Sequence, residues 1–559
     1  MASPTGTDTN FKHTSNSVQC GLVGCIHPRF GGKVVQFRGI PYATVAKRFA
    51  KPVLATNWRD HGPSFTKYGT LYPQPGFPYE SMFGMPPAPG DERGSGVSDI
   101  KFDELTCCNL NVTCPQIQGA TASGLRRPVY VWIHGGGQAV SFPAAQHRLG
   151  DPGPLVAQSV EMNKPIILVT FNYRLNIFGF ADPEGVNLNL GMQDQVTALR
   201  WVQDYIHLFG GDPNNITLGG QSAGAIYTHG LLAMNIKPKR AILASGSLYL
   251  TAPSDRERCM KVFRWMEQSL RSNRAQNDTS GGQTIDGEST GSFLYTAPPE
   301  EMMKIVQEAG FYSWWMFDSS LGDWKEDVKV FANVAEAVLL SDCKDEAAPY
   351  DGRLRLIPKE EQLKAFQSLS RSDYNALAQV YDFEGTQHDD ERWAIVVRDF
   401  VNDARYAVWT QELWRRINSA RGTGVTCKAY LCHYDEVNPF GPWPNWSFPV
   451  AHHAVDLLAA FGGLDETVNG ATKEAGRLLR GFWINFINGE EPWPSDMIYG
   501  FGPDGKNGLI PAAEEIDSTD ASTTATRRRQ PQFQVLKNIG IDALTRVWQQ
   551  LLPTVGVDI

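Results

Sequence analysis

An α/β fold is the class that this sequence predicts, and three segments carry that prediction. Residues 129–133 and 165–171 are short apolar runs rich in branched and aromatic side chains, which is typical of buried strands. Residues 216–218 end a third apolar run, and a glycine-rich turn separates them from the start of a helix at residue 223. A strand that passes through a tight turn into a helix is typical of an α/β domain. The sequence therefore predicts a sheet with helices packed on it.

The turn at residues 220–224 has the pattern Gly-x-Ser-x-Gly, with Ser222 at its centre. Between a strand and a helix this turn is so tight that the positions flanking the serine tolerate almost no side chain. The serine oxygen is pushed out of the sheet, and the N–H groups of the helix N-terminus beneath it can stabilise negative charge. The motif alone often marks only a glycine-rich turn, but here its strand–turn–helix context also matches. Ser222 is therefore predicted to be a nucleophile.

A second motif, His-Gly-Gly-Gly at residues 134–137, follows the apolar run that ends at residue 133. Consecutive glycines after a buried strand let the backbone approach a ligand closely and turn its N–H groups inward. Loops of this type form oxyanion holes. We expect the N–H groups of Gly136, Gly137 and Ala223 to be the three donors of such a hole.

Six further segments accompany these two motifs, at residues 37–43, 110–112, 171–180, 189–195, 198–202 and 244–247. With them the chain resembles the type-B carboxylesterases, the cholinesterase-like branch of the α/β-hydrolases. The resemblance is specific at its centre and weak between about residues 250 and 425. It implies an α/β-hydrolase fold, in which a large, mostly parallel central sheet is flanked by helices and elaborated loops surround a gorge.

Length alone, at 559 residues, would suggest three or four domains. The resemblance instead spans both ends of the chain, so we expect one domain over residues 20–559 after a polar tail at residues 1–19. Three segments rich in proline or in small polar residues are expected to be mobile surface: residues 73–99, 271–292 and 512–530. The first of them corresponds to a loop that overhangs the gorge in relatives.

A serine nucleophile needs a general base, and in this fold the chain order is serine, carboxylate, histidine. Three of the histidines after Ser222 fit poorly, because they lie on the nucleophile's own helix, in a charged run or directly after a short strand. Two adjacent histidines remain. Aligned on the Phe-Gly pair at residues 461–462, the resemblance places the base at His453, with His452 as the alternative. Asp456 then stands where the family often carries an acidic residue.

The acid is expected in the loop after a short apolar strand at residues 338–340. The resemblance implies that Glu346 orients the histidine, while Asp345 and Asp342 remain competitors. Each of the three could also be an ordinary solvated carboxylate. The Ala-Ala-Pro that follows Glu346 departs from the family pattern of a small residue and then an aromatic one.

Together these parts imply a serine esterase that hydrolyses a carboxylic ester or lactone through an acyl-enzyme. Gln138 and Gln221 stand where relatives often carry an aromatic residue and a glutamate, which argues against a cationic, choline-type substrate. Two other functions stay open: acyl transfer, elimination or ring closure by the same triad, and a non-catalytic binding protein with this fold.

Composition limits the partners. The formal net charge is −9 and no basic stripe occurs, so nucleic acid is not expected as a partner. We find no internal repeat, no metal-ligand spacing and no run long enough to span a membrane, and we expect no metal and no cofactor. The basic cluster at residues 527–529 is expected in a solvated loop.

Cysteine usage and the start of the chain bear on location. The first 19 residues are polar, without the apolar stretch of a signal peptide. The nine cysteines are odd in number, and Cys107 stands at the position of the family's early disulfide cysteine without the usual partner before it. We therefore expect a cytoplasmic protein with reduced thiols, or a secreted one if a leader precedes the sequence.

Overall fold

The computed structural model describes most of the chain, with gaps at loops and both ends. The described residues are 10–14, 21–30, 32–62, 64–76, 83–85, 100–116, 126–251, 253–277, 292–309, 321–322, 324–325, 328–386, 388–441, 449–502, 505–512 and 528–552. Most of the segment 73–99, the centre of 271–292 and most of 512–530 lie outside these ranges, and so does most of the N-terminal tail.

The described residues form one large sheet and one small one. Their strands are β1 (Asn10–Thr14), β2 (Gly21–Ile26), β3 (Val34–Pro41), β4 (Ala43–Thr44), β5 (Val53–Leu54), β6 (Ser64–Phe65), β7 (Asn109–Pro115), β8 (Arg127–Ile133), β9 (Ile167–Phe171), β10 (Gly211–Gln221), β11 (Arg240–Ala244), β12 (Ala337–Cys343), β13 (Lys428–Tyr434), β14 (Met497–Phe501) and β15 (Asn507–Pro511). Strands β4 and β5 pair with each other, and β6 pairs with β2 at the margin of the large sheet.

The large sheet runs in the order β1-β2-β3-β7-β9-β8-β10-β11-β12-β13-β14-β15. Its central strands, from β9 through β8 and β10 to β14, are parallel, and antiparallel strands flank them on both sides. The α/β fold with a mostly parallel central sheet is thus confirmed. Because β8, β10 and β12 are parallel, the loops that follow them meet at one edge of the sheet.

Helices cover the sheet, and several begin at a polar capping residue. The Asp389 side chain accepts hydrogen bonds from the N–H groups of Glu391 and Arg392, and the Asn469 side chain accepts one from Thr472. Such caps satisfy N–H groups that the first helical turn leaves without a partner. The described helices are Gly153–Glu161, Asn176–Phe180, Leu190–Tyr205, Ala223–Ala233, Arg256–Asn277, Ser292–Thr296, Pro299–Ala309, Asp351–Leu354, Lys359–Gln367, Arg371–Val380, Phe383–Thr386, Asp390–Asn402, Val408–Ser419, Asp456–Phe461, Gly470–Ile487, Gln530–Ile539 and Ile541–Leu551, with a π-helical turn at Asp403–Ala407.

The segment 271–292 begins inside a helix rather than in a loop. Residues 271–277 form the last turns of the helix Arg256–Asn277, and residue 292 opens the next helix, Ser292–Thr296. Here the prediction from composition was wrong at both ends of the segment. The helix extends into the segment because it contains residues that favour helix, such as Arg274 and Ala275, before the run rich in small polar residues.

The basic cluster near the C-terminus is buried at Arg528, against the prediction of a solvated loop. Its guanidinium donates to Asp342 at 2.7 Å and to Asp435 at 2.9 Å, and the residue is only 7% exposed. His433 also contacts Asp342, with 2.6 Å between Nδ1 and Oδ1. Charges removed from water are retained where opposite charges compensate them, and here β12 and the residue that follows β13 supply those charges.

Two observations concern the sequence expectations on membranes and disulfides. No helix among the described residues has the length and apolar composition that crossing a bilayer requires. Cys107 is a buried thiol that forms no disulfide with the described residues, and its Sγ lies 3.9 Å from the carbonyl oxygen of Glu104.

Candidate active site

The turn between β10 and the helix Ala223–Ala233 holds Ser222 in a backbone conformation that side chains rarely adopt, with φ 57° and ψ −123°. Two glycines make room for it. A Cβ on Gly220 would lie 2.5 Å from the carbonyl carbon of Gly224, and a Cβ on Gly224 would lie 2.1 Å from the carbonyl oxygen of Ile133. Neither position can carry a side chain without moving the backbone, which explains the two glycines of the motif.

Hydrogen bonds hold this turn at the edge of the sheet. The N–H of Ser222 donates to the carbonyl of Ala244 at 2.9 Å, and its own carbonyl accepts from Ala225 and Ile226 at 3.0 Å. Ser222 is half-buried while its two chain neighbours are buried. Within the described part of the chain, its hydroxyl makes no hydrogen bond. The turn therefore leaves Ser222 partly accessible to solvent between two buried neighbours.

The glycine loop after β8 folds back beside this turn. The N–H of Gly135 donates to the Phe142 carbonyl at 2.7 Å, and the Gly136 carbonyl accepts from Val140 at 3.1 Å. Gly136 and Gly137 both have positive φ, 104° and 61°. A Cβ on Gly136 would lie 2.0 Å from the Val140 carbonyl oxygen, so only glycine fits there.

This geometry leaves three N–H groups without a partner. Those of Gly136, Gly137 and Ala223 donate to no acceptor among the residues that the structure describes. Backbone N–H groups in a folded protein are nearly always paired, so a cluster of unpaired ones is suited to binding an anion or a developing negative charge. These are the three groups that the sequence predicts as oxyanion donors.

His134 and Tyr173 fix the base of the glycine loop. Their rings stack with centroids 4.3 Å apart, and the Tyr173 hydroxyl donates to the His134 carbonyl at 2.8 Å. Burial lowers the pKa of His134 to about 4, so its ring is neutral near pH 7 and Nδ1–H donates to the Gly135 carbonyl at 2.9 Å. These contacts limit rotation of the peptide that precedes Gly136.

Glu346 and His453 lie in direct contact. The Glu346 Oε2 is 2.5 Å from His453 Nδ1, and its other oxygen accepts the N–H of Cys343 at 2.7 Å. Glu346 is fully buried, whereas the His453 side chain is 16% exposed. A pairing of Asp345 with His452 brings the two loops together, with the Asp345 N–H donating to the Ala451 carbonyl at 2.9 Å.

The alternatives that the sequence left open occupy other positions. His452 is buried, with Nδ1 2.8 Å from the His453 carbonyl oxygen and its ring 4.9 Å from that of Phe83. Burial lowers the pKa of His452 to about 4. Burial would raise the pKa of Asp342, but Arg528 and His433 outweigh it and hold the value at about 2. Burial raises the pKa of Asp345, which makes no hydrogen bond to His453, both residues being described.

Three more residues surround His453. The Gln221 Nε2 lies 3.3 Å from His453 Nε2, and the Tyr406 ring lies 5.3 Å from the imidazole, centroid to centroid. Burial, followed by the charge of Glu346, raises the pKa of Asp456 to about 7. The family resemblance already singles out the positions of Gln221 and Asp456 in the sequence, whereas it does not single out Tyr406. No local motif marks Tyr406, which the π-helical turn Asp403–Ala407 brings to this position.

Chemically, the arrangement combines a half-buried hydroxyl, an imidazole held by a carboxylate, and backbone N–H groups without an acceptor among the described residues. This set suits nucleophilic acyl chemistry. Among the described residues, no group of three or more histidine, cysteine, aspartate or glutamate side chains could hold a metal ion.

Comparison with known proteins agrees with the geometry. The family profile described as "Carboxylesterase family" matches residues 17–501. Lipase 3 of Yarrowia lipolytica is 30% identical over 83% of this chain and 86% of its own length. The inactive carboxylesterase-like protein VdtD of Byssochlamys spectabilis is 30% identical over 49% of this chain and 45% of its own length. A solved PNB esterase shares the fold with a TM-score of 0.61 and 22% identity, over 91% of this chain and 98% of that one.

Proposed function

The chain belongs to the carboxylesterase family, and from that membership we propose that it hydrolyses a carboxylic ester or lactone with Ser222 as nucleophile. His453 is the proposed base and Glu346 the proposed acid. The observation that carries the proposal is the 2.5 Å contact between Glu346 and His453, whose other ring nitrogen lies 3.3 Å from the side chain of Gln221, the residue before Ser222. Family membership supports ester hydrolysis, and this contact supports the serine mechanism.

In the proposed mechanism, the hydrogen bond to Glu346 keeps the single proton of neutral His453 on Nδ1. Nε2 then carries a lone pair instead of a proton and can take the proton of Ser222 as its oxygen attacks the acyl carbonyl. Glu346 stabilises the imidazolium that results. His453 returns this proton to the leaving alcohol, and the acyl group remains on Ser222.

The negative charge that develops on the carbonyl oxygen would be held by the N–H groups of Gly136, Gly137 and Ala223. Each donor of this kind lowers the barrier by roughly 3–4 kcal/mol. Water then attacks the acyl-enzyme with His453 again as base, which releases the acid and restores the serine. The Ser222 hydroxyl and the imidazole, both described, are not hydrogen-bonded to each other, and catalytic hydrogen bonds of this kind commonly tighten only when substrate binds.

For the substrate we propose a neutral ester. Gln221 carries no charge beside the imidazole, and Asp456, whose pKa is about 7, is partly protonated near neutral pH. A quaternary ammonium group needs stronger negative potential and an aromatic cage. Gln138 contributes less to this argument than its position suggests, because it is only 1% exposed.

A matched pair of substrates tests this specificity. Acetylthiocholine and its uncharged carbon isostere, 3,3-dimethylbutyl thioacetate, have the same shape and differ by one charge. We expect the neutral ester to have the higher kcat/KM. A preference of more than tenfold for the cation would contradict the proposal.

The hydrolytic function itself is tested with p-nitrophenyl esters of increasing acyl length. Wild-type protein should turn over at least one of them, and Ser222→Ala should be folded and inactive. Turnover by the alanine variant at the wild-type rate would refute Ser222 as nucleophile. No turnover by the wild type, with no reaction at Ser222, would favour a non-catalytic binding role; one relative is named an inactive carboxylesterase-like protein.

A further inference from the structure

Gln221 lies directly beside the imidazole that the proposed mechanism uses. It is the last residue of β10 and is fully buried, and its side-chain Nε2 is 3.3 Å from His453 Nε2. Its Oε1 is also buried and accepts no hydrogen bond from the described residues. The amide therefore lies beside Gly135 of the glycine loop, where a Cβ would come within 3.0 Å of Gln221 Oε1, and His453 is the one hydrogen-bond partner of this side chain in the described part of the chain.

The protons on His453 decide which end of the amide faces it. Glu346 accepts a hydrogen bond at Nδ1, so the neutral ring has no proton on Nε2 and can only accept there. If the amide oxygen of Gln221 faced the ring instead, its lone pair would lie against the lone pair of His453 Nε2. The NH₂ end of Gln221 must therefore face the ring, which agrees with the 3.3 Å contact between the two Nε2 atoms.

We propose that Gln221 is a positioning residue that donates a hydrogen bond to His453 Nε2 and so favours the neutral, proton-accepting form of the base. The inference rests on the proposed function of His453. A donor that binds only the neutral form opposes protonation of the ring. It also occupies the lone pair that Ser222 needs, so the amide must release Nε2 when substrate brings the hydroxyl into line.

Other groups around His453 also bear on its protonation. Glu346 favours the charged ring, and burial keeps His452 neutral. Asp456 lies on the helix that follows and changes charge near pH 7, while burial raises the pKa of Tyr406 and keeps that hydroxyl neutral. These groups are the same in Gln221→Met, so a difference between that variant and wild type reports the loss of the amide.

The test measures the rate at which an alkyl fluorophosphonate labels Ser222 between pH 5 and 9, with Gln221→Met and Gln221→Glu beside wild type. Methionine fills the space without a donor, and we expect the acid limb of the profile to move up by about 0.5–1 pH unit. The carboxyl of a glutamate at this position can share a proton with the His453 imidazole, so the acid limb of the labelling profile should move up further. Gln195→Met is the matched control, because Gln195 is a buried glutamine without a partner among the described residues.

Each outcome has one meaning. An upward shift in both Gln221 variants, with Gln195→Met unchanged, supports the proposal. Labelling of all variants with one common acid limb, or with a downward shift, overturns it and leaves the proposed function intact. If wild-type Ser222 does not label at any pH, the proposed function itself has failed. Thermal unfolding of each variant identifies a misfolded protein. If one Gln221 variant is misfolded, the acid limb of the other one decides between these outcomes.

Discussion

Replacing Glu346 by glutamine should abolish most activity by moving one proton on His453. The Oε1 of Glu346 accepts the Cys343 N–H at 2.7 Å, so the glutamine oxygen is held in that position. Its NH₂ group then faces His453 Nδ1, from which the carboxylate oxygen was 2.5 Å away. A donor at this place favours the ring with its proton on Nε2, and that form has no lone pair for Ser222.

The expected loss is large. The corresponding change of acid to amide in a serine protease triad lowers kcat about 10⁴-fold, which is about 5.4 kcal/mol at 1.36 kcal/mol for each factor of ten. The assay is kcat for a p-nitrophenyl ester that wild type hydrolyses. Asp345→Asn is the matched control, since this neighbouring carboxyl makes no hydrogen bond to His453, both being described, and it should keep kcat within about threefold. A Glu346→Gln variant that retains a tenth of the wild-type kcat would refute the reasoning.

Three further substitutions test the glycine loop, a buried ion pair and a buried carboxyl group. Gly136→Ala places a Cβ 2.0 Å from the Val140 carbonyl oxygen, so the loop must move, and kcat should fall about 10²–10³-fold in a stopped assay while the protein remains folded. Arg528→Met removes the guanidinium that two buried aspartates share and should lower the free energy of unfolding in urea by about 3–5 kcal/mol at pH 7; a loss below 1 kcal/mol would contradict the buried ion pair. Asp456 has a pKa of about 7 in the folded protein, against an ordinary aspartate value of 3.8, so the folded state binds this proton more tightly and the contribution of Asp456 to stability should fall as pH rises from about 4 to 7. Asp456→Asn should remove this loss, so at pH 8 its free energy of unfolding should exceed that of wild type by up to about 4 kcal/mol. If the urea midpoints of variant and wild type differ by the same amount at pH 4.5 and at pH 8, this prediction is wrong.

The sequence located those parts of the fold that local chemistry determines. The strand, turn and helix around Ser222 follow from glycines that the backbone itself requires, as the 2.1 Å approach at Gly224 makes clear. The glycine loop after β8 is determined in the same way. Both could be predicted because the residues that require them are neighbours in the chain.

Contacts between distant segments could not be predicted from local pattern. Gln221 and His453 are 232 positions apart, and nothing near either residue indicates that the amide meets the imidazole. Tyr406 lies in the stretch where the family resemblance is weak. Arg528 has the sequence surroundings of a solvated loop. Its burial is favourable because Asp342 of β12 and Asp435, directly after β13, accept its hydrogen bonds.

The central claim is that Ser222 forms a covalent acyl-enzyme with the help of His453. Its most direct test is reaction with an alkyl fluorophosphonate at pH 8, followed by intact mass and peptide mass spectrometry. We predict one equivalent of label per chain, on the peptide that carries Ser222, and at least a roughly thousandfold slower labelling in His453→Ala. Label on another residue, or equal rates in wild type and the histidine variant, would contradict it.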